Sequence, residues 1–390
     1  MNILFVIEQD FEFNTGGVQI VTERLINLFH KMEHNLVLVS LSSTDLDLSL
    51  DFHNDFKIPY YKISKGNEFL KLQKLILKYQ INLFINQVGY DPNVSKLLFK
   101  VSRNKAKIIN CLHINPLNFY DNHEFLTSKF LNDNGLKAFD NKLVHKFILY
   151  YHVVKQRKEL GYIVKNTNAF VMLSERFKEE LYQLVPDVKK FDHKIYGINN
   201  PFEVPDLDIS TIKKKNVILY VGRLEISQKR VDLLLEIWDK LHRVLPDWQF
   251  WVVGHGSEEE NMKNFCLKHQ MNRVKFFGKQ NPDEYYKQAK IFHLTSAFEG
   301  FGNVLVEAQS FGCVPVMFNS YSAAQDIVLN QETGILIEPF NIDVYVQETL
   351  DLIADKDRLK RYVENAIIHS HNYSYSVTYE KWVNVFSQLN

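Results

Sequence analysis

The chain has 390 residues, 46% of them apolar, with 46 Lys and Arg against 46 Asp and Glu. This composition excludes disordered and fibrous classes, and the length suits two domains of ~150 residues each. A neutral total also removes the general basic field that nucleic-acid binding needs.

The zero is a sum of unlike parts, because residues 1–205 carry 26 Lys and Arg against 22 acids and the remainder 20 against 24. Cys111, Cys266 and Cys313 stand far apart with no CxxC spacing, so neither a disulfide framework nor a zinc site is expected, and a reducing cytoplasm fits. The opening MNILFVIEQD has no cationic leader, and no stretch approaches the ~20 apolar residues of a membrane span.

Short apolar runs alternate with helical patterns along the whole chain. Expected strands are 2–7, 35–41, 82–89, 107–114 and 169–174, then 216–222, 248–254, 274–278, 291–296, 314–320 and 334–339. Runs that stay apolar without period-two alternation suit strands covered on both faces, as in parallel sheets. Stretches such as VQIVTERLINLFHKM, RVDLLLEIWDKLHRVL and VYVQETLDLIAD read as helices between them. Two doubly wound α/β domains are the expected architecture. The segment 199–216, with two prolines and a basic run, is read as the boundary: residues 1–205 as a first domain, 206–370 as a second. The last stretch, 371–390, reads as an amphipathic helix packing back on the first domain.

Ligands of doubly wound sheets sit beyond the carboxyl ends of the strands, and four junctions there are unusual. Asn14-Thr15-Gly16-Gly17 follows the first strand; paired glycines admit a phosphate or sugar closely, or simply make a turn. Gly222-Arg223-Leu224 ends a strand, with Gln228-Lys229-Arg230 before the next helix, so an Arg fork and a Lys point charge offer an anion site. Gly254-His255-Gly256 is half of a dinucleotide fingerprint and reads better as a tight turn. The richest is SAFEGFGNVLVEA (296–308). There Glu299 and Glu307 would be costly to bury without hydroxyl or N–H partners, which a polyhydroxylated ligand supplies.

Taken together, TGGVQ near the start, CLHINP (111–116), INNPF (198–202), VGRLEISQKRVDLLL (221–235), VVGHGSEE (252–259) and the Glu-x(7)-Glu stretch within TSAFEGFGNVLVEAQSFGCVPV resemble the retaining glycosyltransferases of family four. The resemblance spans residues 1 to about 340 and implies the GT-B fold, two Rossmann-like domains facing across a cleft. It implies that the second domain holds a nucleotide-sugar donor and the first an acceptor. Carried over by position, Arg223 and Lys229 hold the donor diphosphate and Glu307 the ribose hydroxyls. Glu299 and the backbone of Gly300, Phe301, Gly302 and Asn303 contact the transferred sugar. Gly16 and Gly17 approach the donor diphosphate or the acceptor from the first domain, and His113 reaches the donor sugar.

The sequence departs from the family pattern at Arg230, where Gly is frequent, and at Asn115, where an acid is often seen. The resemblance further implies retention of anomeric configuration without a metal or other cofactor, UDP ahead of GDP as the nucleotide, and a bacterial surface polysaccharide or lipid-linked oligosaccharide as setting. Replacing Glu299 or Lys229 by Ala is expected to cut donor turnover and leave the fold intact. The alternatives are a catalytically silent sugar-nucleotide-binding or scaffold subunit, and another activity of the fold such as an epimerase or phosphorylase.

Two Asp-x-Asp matches, Asp45-Leu46-Asp47 and Asp206-Leu207-Asp208, are read as solvated linkers rather than as a metal site. The segment 142–165 carries six Lys and Arg against one Glu among aromatics and aliphatics. It is read either as a core helix with a solvated basic face or as a basic amphipathic helix on an anionic membrane surface, which would make the protein peripheral on the inner face of the membrane.

Overall fold

The computed structural model describes residues 1–13, 16–52, 56–103, 105–206 and 213–389. Asn14 and Thr15 of the first glycine loop, and Leu207 and Asp208 of the second Asp-x-Asp match, lie outside these residues. The chain divides into two units: residues 1–120, 146–201 and 375–390 form the first, and 121–145 with 202–374 the second. The crossing at 201/202 lies four residues before the expected boundary, and the assignment of 121–145 to the second unit has no counterpart in the sequence pattern.

The first unit is built on an eight-stranded sheet in the order β3-β4-β2-β1-β5-β6-β7-β8. Its centre is β1 (Asn2–Ile7) beside β5 (Leu83–Asn86), flanked by β2 (Asn35–Ser42), β6 (Lys107–Leu112) and β7 (Ala169–Met172). All of these ladders are parallel. Their continuous apolar runs are buried on both faces, as helices above and below require.

The sheet extends further than the apolar runs suggest. Strands β3 (Leu46–Phe52) and β4 (Phe56–Ser64) form an antiparallel pair, and β8 (Ile195–Gly197) adds a short edge. Asp47 therefore lies in an edge strand, not in a linker. Asp45, just before it, accepts from Ser64 N at 2.8 Å and pairs with Lys71 at 2.9 Å. The terminal helix α14 (Tyr375–Ser387) places Trp382 against Phe29 of α1 (Gly17–His30), ring centroids 5.3 Å apart. Trp382, Val385 and Phe386 join one buried cluster with Phe5 and Leu38.

The second unit carries a six-stranded parallel sheet in the order β11-β10-β9-β12-β13-β14. Its strands are β9 (Lys215–Val221), β10 (Gln249–Val253), β11 (Val274–Phe276), β12 (Ala289–Leu294), β13 (Val314–Phe318) and β14 (Ile335–Ile337). From β9 the chain winds outward through β10 and β11, then returns to the other side of β9 to lay down β12. The winding therefore reverses between β9 and β12, and the loops leaving those two strands open at that switch point. Helix α7 (Val231–Val244) buries Leu234, Ile237, Trp238 and Leu241 in this core.

Candidate active site

In the second unit, glycines let two loops come together. An added Cβ on Gly254 would lie 1.8 Å from Gly222 O, and one on Gly256 would lie 2.2 Å from Leu224 O. Three backbone bonds complete the join, Gly222 N to Val253 O, Leu224 N to His255 O and Glu258 N to Leu224 O, and Gly254 N donates to Gly278 O beside it. The Gly-His-Gly turn is thus a mould for the Arg223 loop. Below it Tyr220, fully buried, donates to Arg223 O at 2.8 Å.

Arg223 itself is open, its side chain 64% exposed, and Nη2 donates to Gln228 Oε1 at 2.8 Å. Gln228 passes the contact on, since its Nε2 donates to Glu299 Oε2 at 3.2 Å and to Phe298 O at 3.1 Å. Lys229 Nζ meets Glu299 Oε1 at 2.5 Å, with side chains only 12% and 8% exposed. Ser296 Oγ donates to the same Oε1 at 2.7 Å. Further bonds hold the loops in register: Ala297 N to Gln228 O at 2.7 Å, and Thr295 Oγ1 to the carbonyls of Lys229 and Arg230 at 3.0 Å each. Arg223, Lys229 and Glu299 are therefore one network at the switch point. Glu299 is buried within it, so the expectation that an Ala substitution leaves the fold intact gives way: removing either partner strands a buried charge.

Beyond Glu299, Gly302 takes φ 96° at the start of α10 (Asn303–Ser310). An added Cβ there would lie 2.5 Å from Tyr321 Oη, a buried hydroxyl with no hydrogen-bond partner. Burial pushes that phenol far above its ordinary pKa, with the Glu299 charge adding to the effect. Phe301 turns its ring into the core of the unit, against Tyr373 and Phe202, so what it offers a ligand is backbone. Gly300 and Gly302 flank that backbone, and Asn303 opens the helix. Glu307, one turn further along α10 and half-buried, accepts from Tyr286 Oη at 3.4 Å.

Arg230 occupies the place where the family pattern favours Gly, and the reason Gly is favoured is visible. Its φ and ψ are both 49°, a left-handed conformation in which Cβ crowds the backbone. Its guanidinium is held by both carboxylate oxygens of Asp232 and lies over the rings of Phe125 and Phe340 at 5.1 and 5.2 Å.

In the first unit, His113 follows β6 and its Nε2 meets Gln87 Oε1 at 2.5 Å. With that oxygen as acceptor, Nε2 carries the hydrogen, and Nδ1 is left without a partner. Burial lowers the imidazole to about 4, so the ring is neutral at pH 7. Gly16 (φ 59°) and Gly17 begin α1, and an added Cβ on either meets nothing within 4 Å. Asn115 is buried, its Nδ2 reaching Glu180 at 3.4 Å and its Oδ1 unpartnered. It lines a pocket of about 190 Å³ together with Tyr90, His152, Lys155, Gln156 and Glu159. Sequence reasoning passed over this pocket and over Thr295, Tyr220 and Tyr321, since none carries a pattern of its own. Among the described residues no group of three or more His, Cys, Asp and Glu is placed to hold a metal ion.

Residues 206–369, the body of the second unit, match the family model described as Glycosyl transferases group 1. The match supports a group 1 glycosyltransferase. Over the whole length the chain is 24% identical to the amylovoran biosynthesis glycosyltransferase AmsD of Erwinia amylovora, covering 96% of this chain and 97% of that one. An uncharacterized glycosyltransferase of Haemophilus influenzae is 32% identical over 193 residues, 49% of this chain and 54% of the relative, so that match spans about half of it. Among solved structures, Anabaena Alr3699/HepE in complex with UDP and glucose superposes with a TM-score of 0.71 at 15% identity, covering 99% of each chain. This likeness shows the fold: GT-B, with two Rossmann-like domains carrying parallel sheets.

Proposed function

We propose that the protein transfers a hexosyl or N-acetylhexosaminyl group from a nucleotide-sugar, a UDP-sugar first and a GDP-sugar second, to a growing glycan. The setting is bacterial surface polysaccharide or lipid-linked oligosaccharide synthesis in the cytoplasm. The observation that carries this reading is the Arg223–Gln228–Glu299–Lys229 network at the switch point of the unit that matches the group 1 model. A doubly wound sheet binds its ligand there.

Each group has a task. Lys229 has three donor positions and Glu299 takes one, leaving two for a diphosphate. Arg223, open to solvent on a moulded loop, supplies a planar fork to the same anion. Both stabilise the departing nucleotide diphosphate, which removes the need for a metal ion. The N–H groups at the start of α10, reached past Gly302, add to this. Glu299 Oε2, which among the described residues accepts only from Gln228, takes a hydroxyl of the transferred sugar, and Glu307 takes the ribose hydroxyls. On the first unit, the unpaired Nδ1 of neutral His113 accepts from a sugar hydroxyl. The room around Gly16 and Gly17 admits the donor, and the Asn115–Lys155 pocket takes the acceptor.

Transfer then proceeds with retention. The bond from the anomeric carbon to the diphosphate oxygen breaks as an oxocarbenium-like species forms. The acceptor oxygen bonds on the same face, and its proton passes to the departing phosphate oxygen. The test is release of UDP from UDP-glucose, UDP-galactose and their N-acetyl counterparts, with and without an extract of lipid-linked glycans. Acceptor-dependent UDP release that persists in excess chelator agrees with the proposal. Nucleotide binding without release identifies a silent binding subunit, and abolition by chelator overturns metal-independent transfer.

A further inference from the structure

Helix α5 (Lys142–Asn166) has two apolar faces. The inner one is accounted for, with Leu160, Ile163 and Val164 buried and Val144, Ile148, Leu149 and Val153 half-buried. The outer one is not. Leu143 is 80% exposed, Phe147 71%, Tyr150 69%, Tyr151 58% and Val154 45%. These positions recur at three- and four-residue steps, so they form one stripe along the helix. The helix is therefore not amphipathic as the sequence suggested: its apolar side chains are not segregated to a single face, and no described residue covers the second face.

Exposed cations border the stripe. Lys142 and Lys146 lie to one side, Lys155 to the other, and the stripe runs on into Lys158 and Lys165. Glu159 is the one acid among residues 142–165 against six Lys and Arg. Aromatic side chains flanked by Lys match the interface of a bilayer, where rings settle at headgroup depth and cations meet anionic phosphates. A second copy of the chain fits less well, because a twofold contact would set these cations against themselves. No helix among the described residues is long and apolar enough to cross a membrane, so the contact is one of lying on the surface.

We propose that the outer face of α5 docks the protein on an anionic lipid bilayer. Lys155 and His152, which line the first unit's pocket, lie within one turn of Tyr151 and Val154. Docking by this face sets that pocket beside the headgroups. The surface goes beyond the transferase reading and stands or falls without it, since its test measures no transfer.

The experiment is co-sedimentation of the full chain with vesicles of phosphatidylcholine plus phosphatidylglycerol, and with phosphatidylcholine alone, at about 0.1 M and about 1 M salt. Two variants accompany it: Phe147→Ser with Tyr151→Ser, and Lys146→Glu with Lys158→Glu. Binding is expected to the anionic vesicles only, weakened at high salt, and reduced about tenfold or more in each variant. All four side chains are exposed, so both variants should melt with the parent. If either fails to fold, the lipid and salt comparisons on the unmodified chain still decide. Equal binding to both lipids, no binding at low salt, or variants that bind like the parent overturn the proposal. So does a concentration-dependent dimer that disappears with Phe147→Ser and Tyr151→Ser.

Discussion

Lys229 and Glu299, 70 residues apart in the chain, form a buried ion pair at 2.5 Å that joins the loop after β9 to the loop after β12. Ser296 and Gln228 also donate to the carboxylate, so the pair is held in place before any ligand arrives. A diphosphate that meets Lys229 therefore meets an ammonium already fixed in place, and little ordering is left for the moment of binding.

Breaking this pair should cost stability as well as turnover. Lys229→Ala or Glu299→Ala leaves one charge buried alone and is expected to lose about 3–5 kcal/mol. The double variant Lys229→Met with Glu299→Gln removes both charges and should recover most of that loss while transfer stays absent. Chemical denaturation of all three against the parent checks the cycle. Single variants as stable as the parent would show that the pair is not buried as described.

Glycines in the two units should separate by role. Gly254→Ala drives a Cβ to within 1.8 Å of Gly222 O and should cost about 3 kcal/mol or more, because the Arg223 loop must move. Gly17→Ala meets nothing within 4 Å and should leave stability within about 0.5 kcal/mol. If the donor approaches there, Gly17→Ala still lowers turnover about tenfold. Melting curves and initial rates on the two variants give the comparison.

Arg230 offers a test of backbone strain. A non-glycine residue at φ 49° carries about 1 kcal/mol of it. Both Arg230→Gly and Arg230→Ala lose the Asp232 clamp and the Phe125 and Phe340 contacts, but only Ala keeps the strain. Arg230→Gly should therefore be the more stable of the two by about 1 kcal/mol, the reverse of the order inside a helix. Equal stabilities would contradict the left-handed assignment.

Acid should weaken the second unit through His293. The ring is buried beside Tyr345 and Thr349, and burial lowers it to about 3, against about 6.5 in an unfolded chain. The unfolded state binds the proton first, so this contribution is complete above pH ~6.5 and declines as pH falls toward 3. By pH 4 the loss is about 3 kcal/mol; in the first unit His113, lowered to about 4 by burial, gives a loss of the same sign. His293→Gln should flatten the fall in stability between pH 7 and pH 4; an unchanged slope would place the titrating group elsewhere.

The legibility of the fold followed one signal. Strands such as β1 and β9 are continuous apolar runs and stand out because both of their faces are covered. The edge pair β3 and β4 escaped because LDLSLDF alternates and FKIPYYKIS carries Pro and Lys, so neither resembles a doubly covered strand. For the site, the motifs pointed to the charged residues at the strand ends. They did not show that Glu299 is tied to Lys229, that Gln228 links it to Arg223, or that Tyr321 lies beneath Gly302. Those contacts join residues 70 positions apart or more, or depend on which way a loop folds. The INNPF motif is similar: Asn199 bonds Thr378 of α14, while Phe202 packs on Phe301.

The central claim is that the network at the β9–β12 switch point receives a nucleoside diphosphate. Calorimetric titration of UDP into the parent chain and into Arg223→Ala tests it most directly, because Arg223 is exposed and its loss should leave the fold alone. Saturable binding of UDP, weakened about 10- to 100-fold by Arg223→Ala as the loss of a charge-assisted pair requires, is the predicted result. UDP and GDP that both fail to bind, or bind equally well to the variant, would contradict it.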